Sequence, residues 1–268
     1  TIVELRLYKN VTFAMASVVN FLNTLGFMAT NFLVALFLQQ HLGYTPLQAA
    51  WMLMPSAVLV GTMSVVTGRL SDIAPPKFLV LVGLVLVAVC LFRFSSITAW
   101  TSVGMLTFWL TLRGFARAFI MAPLNAASMA ALHESEIRMG AGLRGFGRGL
   151  ASASSVALAA TWLQGRHATQ VQFLSQDQSL AVFGRDELVQ HLVLTFERLG
   201  DVGQMANRKA LAMPNTFIHQ EAALHSYHET FAMIGALTVL AILPALWMGT
   251  RAKADEPDAG STSAVPTD

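Results

Sequence analysis

Acidic residues are missing from most of the first half of this chain. Only 12% of the 268 residues are charged, and between Glu4 and Glu134 the one acid is Asp72. A soluble helical domain interleaves charge along its exposed faces, so this distribution excludes an ordinary soluble fold. Cysteine is nearly absent too. Cys90 is the only one and lies within an apolar run, which rules out an internal disulfide and a cysteine zinc set. No Gly-rich phosphate loop occurs, and no apolar run carries both a histidine and an acid, so a Ser-His-Asp arrangement is not expected. The chain is therefore read as a non-enzyme with no cofactor. His219, His225 and His228, with Glu221 and Glu229, come nearest to a metal set, but no cysteine completes it and no metal is expected. The positive residues border apolar runs instead of forming a patch, which points to a lipid bilayer and not to nucleic acid.

Hydrophobic residues are plentiful, at 54%. The organising stretch is Thr67-Gly68-Arg69-Leu70-Ser71-Asp72-Ile73-Ala74-Pro75-Pro76-Lys77, set between two uncharged runs, 52–66 and 78–92. Gly68, Ser71 and Asp72 favour turns, and the proline pair stops a helix. The reading is a membrane hairpin whose positive turn faces the cytoplasm.

A spanning helix needs about 20 mostly apolar residues. Six such segments are expected, near 11–38, 47–67, 78–97, 103–121, 141–163 and 230–250. Thr45-Pro46 opens the second, and Pro123 is expected to kink or end the fourth. By region, residues 1–10 form a cytoplasmic lead-in and 11–163 hold five spans. Residues 164–228 form an exterior segment with short amphipathic helices such as Asp186–Leu199. Residues 229–252 are the sixth span, and 253–268 a disordered tail.

Arg6, Lys9, Arg69, Lys77, Arg138, Arg251 and Lys253 fall on one side of this alternation. The short loops opposite, 39–46 and 95–102, have no Lys or Arg. Both termini are thereby expected in the cytoplasm, at the cell's inner membrane. Spans one to three and four to six suit two inverted three-helix repeats, a transporter architecture. No cleavable signal peptide pattern is visible, and the loop-like start at Thr1 suggests a piece of something longer.

Two constellations stand out as candidate chemistry. Arg113 lies near mid-membrane, where a guanidinium costs at least ~2.5–3.5 kcal/mol unless it faces a polar interior. Arg117 is one turn further on the same face. The pair reads either as cavity-facing cations or as structural arginines bonded to neighbouring helices. Asn20, Asn23, Thr24, Phe27 and Asn31 share one face of the first span. They read either as the wall of a substrate path or as amides bonding between helices. In the fifth span, Gly145, Gly149 and Ser152 are small residues at packing spacing. Arg144 and Arg148 stack one turn apart near that span's cytoplasmic end.

With these residues in view, the chain resembles the C-terminal half of a major facilitator superfamily transporter of the fourteen-span EmrB/QacA drug:proton antiporter type. Gly68-Arg69-Leu70-Ser71-Asp72 resembles the G-x-L-(A/S)-D loop that follows the second helix of each half, with the usual basic run reduced to Lys77. Leu110-Thr111-Leu112-Arg113-Gly114 with Ala122-Pro123-Leu124 resembles R-G-x-G…P-L in the fourth helix, departing at Ala116. Phe146-Gly147-Arg148-Gly149-Leu150-Ala151-Ser152-Ala153 resembles F-x-R-x-L-G-G-S. Tyr227-His228-Glu229-Thr230-Phe231 resembles Y-x-D-x-F, with Glu in place of Asp. The resemblance implies half of an exporter of lipophilic or cationic small molecules, energised by a proton gradient and working by alternating access. It implies a gating loop of Gly68, Arg69, Asp72 and Lys77, and a substrate path along the first and fourth helices. The implied partners are the missing N-terminal half of the same chain and, as in some relatives, a periplasmic membrane-fusion adaptor. Two rivals share these features: a facilitator without proton exchange, and a non-transporting membrane protein that binds a partner through its exterior segment. Spans one to five hold no acid, so the coupling acid is expected in the N-terminal half and not at Glu229.

Overall fold

The computed structural model describes residues 5–96, 101–176, 190–191, 193–195 and 203–247. Within them the fold is all-helical. A single 3-10 turn, Leu5–Lys9, leads into α1 (Val11–Gln40), α2 (Pro46–Ile73), α3 (Pro76–Phe94), α4 (Val103–Ala130), α5 (Glu134–Gln176), α6 (Gln204–Leu240) and α7 (Ile242–Trp247). Five stretches are long and apolar enough to cross a membrane: Val11–Gln40, Pro46–Ser71, Pro76–Phe94, Val103–Ala130 and Ile218–Leu246. The expected fifth span, 141–163, lies inside α5 but is not among them, because Gly, Ser and Arg dilute its apolar residues. Arg251, Lys253, the tail and most of Asp186–Leu199 fall outside the described residues, as does 97–100 in the turn after α3.

Local signals start and stop these helices. Asn10 caps α1 by accepting from the Thr12 and Phe13 amides. Thr45 and Gln48 form a capping box at the start of α2, with Pro46 in the first turn, as Thr45-Pro46 predicts. Ser102 caps α4 through the Met105 amide.

Four boundaries differ from the sequence reading. The stretch Gly68 to Asp72 is not a turn: α2 continues to Ile73, and only Ala74 and Pro75 separate it from α3. Neither Gly68 nor Ser71 stops a helix whose backbone ladder is otherwise intact. The break comes where Pro75 forces Ala74 into an extended conformation (φ −102, ψ 149). Pro123 does not end α4, which runs on to Ala130; a buried proline is tolerated where neighbouring helices cover the freed backbone. The polar segment 164–228, expected to hold short amphipathic helices, is entered from both ends by long ones. α5 extends to Gln176 and α6 begins at Gln204, so the last apolar span is the continuation of a 37-residue helix. The helix is interrupted at Ala241 before α7.

α4 packs against α2 and α3, while α1 packs against α5 and α6, with α6 closing on α3. The core joins Leu33 and Phe37 of α1, Leu84 and Phe94 of α3, Leu110 and Ile120 of α4, and Tyr227, Phe231 and Ile234 of α6. Each buried Leu or Phe of this kind contributes roughly 1.5–3 kcal/mol where water is the alternative; in lipid, close packing takes over that role. Close helix approach occurs at Gly83 and Gly114. A Cβ on Gly114 meets Ser56 Oγ at 2.5 Å, and one on Gly83 meets the Ala116 carbonyl oxygen at 2.9 Å. Gly145 and Gly149, expected as packing glycines, have no heavy atom within 4 Å of a built Cβ. Their face of α5 is turned away from its neighbours in this bundle. Ser152, half-buried, offers its carbonyl to Ser155 of the same helix.

Candidate functional site

The polar face of α1 is turned inward. Asn20, Asn23 and Thr24 are buried, while Phe27 and Asn31 sit half-buried at its edge. α4 crosses opposite and delivers two cations to the same place. Arg113 is 1% exposed and Arg117 7%. The Arg113 guanidinium donates to Asn31 Oδ1 and stands 4.5 Å from the Phe27 ring centroid. Arg117 lies closer, 3.4 Å from the same centroid. Cation–π contacts of this desolvated kind are worth about 2 kcal/mol each. They offset part of the burial of two guanidiniums at membrane depth, ~2.5–3.5 kcal/mol apiece. Glu and Asp are missing from the sequences of α1, α3 and α4, and no carboxylate among the described residues pairs with either arginine.

The arrangement brings together five of the seven substrate-path candidates. Asn23, Phe27, Arg113 and Arg117 line one small cavity, closed by Gly26 and Thr30 of α1, Val87 and Leu91 of α3 and Thr238 of α6. Asn31 joins through its contact with Arg113. Asn20 faces a different cleft, between α1 and α5, with Tyr8, Ser17 and Arg144. Thr24 is buried and lines neither cavity. The candidate gating residues are not gathered at this site. Gly68 and Arg69 lie in the last turns of α2, and Lys77 in the first turn of α3. Asp72 is in the helix, but its side chain lies outside the described residues.

Sequence reasoning picks out Arg144 beside Arg148 but not the partners that make it a second arginine site. Arg144 of α5, buried, donates to Ser128 Oγ and, at 2.6 Å, to Asn125 Oδ1, both in the last turns of α4. One guanidinium thus ties two helices that otherwise barely touch. The available signal was an arginine amid small residues, but its partners stand 16 and 19 residues away.

At the opposite end, a cavity of about 450 Å³ opens between α1, α5 and α6. Phe32, Leu36 and Leu163 give it an apolar wall, and Gln40, Gln164, His167 and Tyr227 give it polar corners. The Tyr227 hydroxyl and Gln40 Oε1 are 3.1 Å apart. His41, just past the end of α1, sits edge-on to the Tyr227 ring at 5.3 Å. Burial, and then the nearby His167, hold the His41 imidazole below its ordinary value of 6.5. Beside this cavity, Glu229 of α6 is held from α5 by Arg166 Nε at 3.1 Å and by Gln170 Nε2 at 2.7 Å. No group of three His, Cys, Asp or Glu among the described residues converges as a metal set; His225 and Glu221 stand 3.6 Å apart.

The Major Facilitator Superfamily model matches residues 5–170. The chain is 29% identical over 126 residues to the MFS-type transporter YhcA of Bacillus subtilis, covering 47% of this chain and 24% of that protein. It is 33% identical over 101 residues to the lincomycin resistance protein LmrB of Listeria monocytogenes, covering 38% and 21%. Over 254 residues, 92% of the chain and 44% of the relative, it is 23% identical to a multidrug resistance protein B homolog of Mycobacterium tuberculosis. The chain thus spans less than half the length of these relatives. A family match over more than half its residues, on a bundle with five membrane-length apolar helices, makes this a multi-pass membrane protein that belongs to the Major Facilitator Superfamily.

Proposed function

We propose that this chain is the C-terminal half of a fourteen-span drug:proton antiporter of the EmrB/QacA type, exporting lipophilic or cationic small molecules by alternating access. The observation that carries the reading is the cluster of Asn23, Phe27, Asn31, Arg113 and Arg117 between two membrane-length helices of a superfamily bundle. Buried cations and amides at mid-membrane are costly and are kept where a solute passes or a bundle rearranges. Relatives whose names specify lincomycin and multidrug resistance support the cargo class. In this reading α5 is the fifth of six spans, arranged as two inverted three-helix repeats. Both termini of the segment face the cytoplasm of the cell's inner membrane, and the α2–α3 connection with Gly68, Arg69, Asp72 and Lys77 gates that side. The segment before α6 faces outward, where a periplasmic adaptor can dock.

Proton coupling belongs to the same proposal. α1 to α4 carry no acid apart from Asp72 at the end of α2, and Glu229 is committed to Arg166 and Gln170. The coupling acid is therefore assigned to the N-terminal half. The test is accumulation of a fluorescent lipophilic drug in efflux-deficient cells expressing the full-length protein, with the pH gradient intact and then collapsed. Reduced accumulation that returns to the vector level on collapse supports the antiporter. Reduced accumulation indifferent to the gradient supports a facilitator, and accumulation equal to the vector control rejects export.

A further inference from the structure

The cleft between α1 and α5 carries an uncompensated charge in its wall. Arg144 is buried and gives its two terminal nitrogens to Ser128 and Asn125, both neutral, and it makes no ion pair among the described residues. Its Nε has no hydrogen-bond partner, and neither have Ser17 Oγ and Asn20 Oδ1 of α1. These three side chains line one cavity of about 240 Å³, which opens beside Tyr8 and Val18, both exposed. One water needs roughly 10–15 Å³ of such a cavity, so the cleft has space for a group much larger than water.

Packing explains why the cleft opens here. One turn before Arg144, α5 is pressed against its neighbours: a Cβ on Gly140 runs into Leu132 and meets Phe13 Cε2 at 3.4 Å. Gly147, two turns further on, lines the cleft and has nothing within 4 Å of a built Cβ. The cavity is also graded from polar to apolar. Tyr8 precedes α1, and Ser17 lies in the second turn of that helix, so the polar end is the shallow one. Phe21, Leu22 and Leu143 form the apolar wall, and Leu150, exposed, follows one turn beyond Gly147. Lys9, exposed beside Tyr8, and Arg148, exposed one turn after Arg144, add positive charge near the shallow end.

A phosphodiester supplies both the acceptor that Arg144 Nε lacks and the negative charge that its neutral partners do not. Hydroxyls on the same headgroup supply a donor for Asn20 Oδ1. A choline headgroup has no donor and brings a second cation beside Arg144. Basic pockets between membrane helices hold anionic headgroups on the same electrostatic grounds.

We propose that the cleft between α1 and α5 binds one anionic phospholipid, with its glycerol-bearing phosphate against Arg144, Ser17 and Asn20 and an acyl chain along Phe21, Leu22 and Leu150. The lipid comes from the leaflet that meets Tyr8 and Lys9. It neutralises Arg144 and fills the gap beside the tie between α4 and α5. The site goes beyond the exporter reading and stands whether or not the protein transports drugs.

The test titrates the delipidated full-length protein in detergent with dioctanoyl phosphatidylglycerol, dioctanoyl phosphatidylcholine and glycerol 3-phosphate. Native mass spectrometry gives the dissociation constant of the first molecule bound. Wild type is expected to bind the anionic lipid about fivefold tighter than the choline lipid, the factor that one basic residue near a headgroup provides. Glycerol 3-phosphate, without acyl chains, is expected to bind at least roughly tenfold more weakly than the anionic lipid. Gly147→Leu fills the cleft without touching the bonds of Arg144; it should bring the two lipids to equal affinity and leave the lipid-free thermal midpoint unchanged. Arg144→Lys separates charge from structure, keeping much of the lipid preference while the midpoint falls, whereas Arg144→Gln loses both. Val18→Trp, at the exposed mouth, repeats the blocking test should Gly147→Leu fail to fold. Equal binding of the two lipids by wild type, or the full preference retained in a folded blocking variant, overturns the proposal. Glycerol 3-phosphate binding as tightly as the lipid also overturns it and gives the cleft to a soluble phosphate ester.

Discussion

Arg117 of α4 lies with its guanidinium carbon 3.4 Å from the ring centroid of Phe27 in α1, while Arg113, one turn earlier, stands 4.5 Å from the same ring. One aromatic side chain therefore serves two buried cations and joins the two helices that carry the polar cluster. Replacing Phe27 with Leu keeps most of the volume and removes the quadrupole. The expected result is a loss of about 2 kcal/mol or more of stability, read as a lower thermal midpoint of the full-length protein in detergent. Phe27→Tyr stays near wild type, and equal midpoints for Leu and Phe would show that the ring acts only as filler.

Gly114 and Gly145 separate close packing from open surface. A methyl group at Gly114 meets Ser56 Oγ at 2.5 Å and the Ser56 carbonyl oxygen at 2.6 Å, so Gly114→Ala pushes α2 away from α4. Overpacking of this kind costs roughly 1–3 kcal/mol. Gly145→Ala meets nothing within 4 Å and is stable, even gaining helix propensity. Paired thermal scans check the order; an unstable Gly145→Ala would mean that its face is covered in the full-length protein.

Arg144 fixes the end of α4 to α5 through Ser128 and Asn125. Losing hydrogen bonds to a charged group costs roughly 1.5–3 kcal/mol. Arg144→Gln is expected to lose about that much, and Arg144→Lys recovers little, because an ammonium lacks the fork that spans both acceptors. Protease susceptibility of the α4–α5 connection reports the release.

Glu229 clasps α5 to α6 through Arg166 and Gln170, and the proposed antiporter has its proton carrier elsewhere. With side chains 44% and 36% exposed, the Arg166–Glu229 pair contributes at most about 1 kcal/mol. Glu229→Gln is therefore expected to express normally and to keep gradient-driven drug efflux in cells. Efflux abolished in well-expressed Glu229→Gln would transfer the coupling role to this residue.

His41 makes stability depend on pH in one direction. Its folded-state value lies below 6.5, so above that range the imidazole is neutral in both folded and unfolded chains and contributes nothing. As pH falls through 6.5 the unfolded chain takes up a proton first, and stability drops until the folded imidazole is protonated too. His41→Gln is expected to flatten the midpoint-against-pH curve between neutral and mildly acid pH. An unchanged slope would assign the dependence to other groups.

The sequence alone determined that this is a helical membrane protein and where most apolar helices lie, because span length and hydropathy are local properties set by the bilayer. It also singled out Arg113, Arg117 and the α1 face, since a charge or amide in an apolar run is conspicuous whatever surrounds it. The stretch from Gly68 continues α2 because turn propensity yields to an intact hydrogen-bond ladder, and α4 runs on past Pro123 where neighbouring helices cover the freed backbone. Tertiary structure alone decided that both arginines meet one phenylalanine, that Asn20 belongs to another cleft, and that Arg144 reaches Asn125 and Ser128. Partnership across helices depends on crossing positions and rotation, and neither is encoded in spacing along one helix.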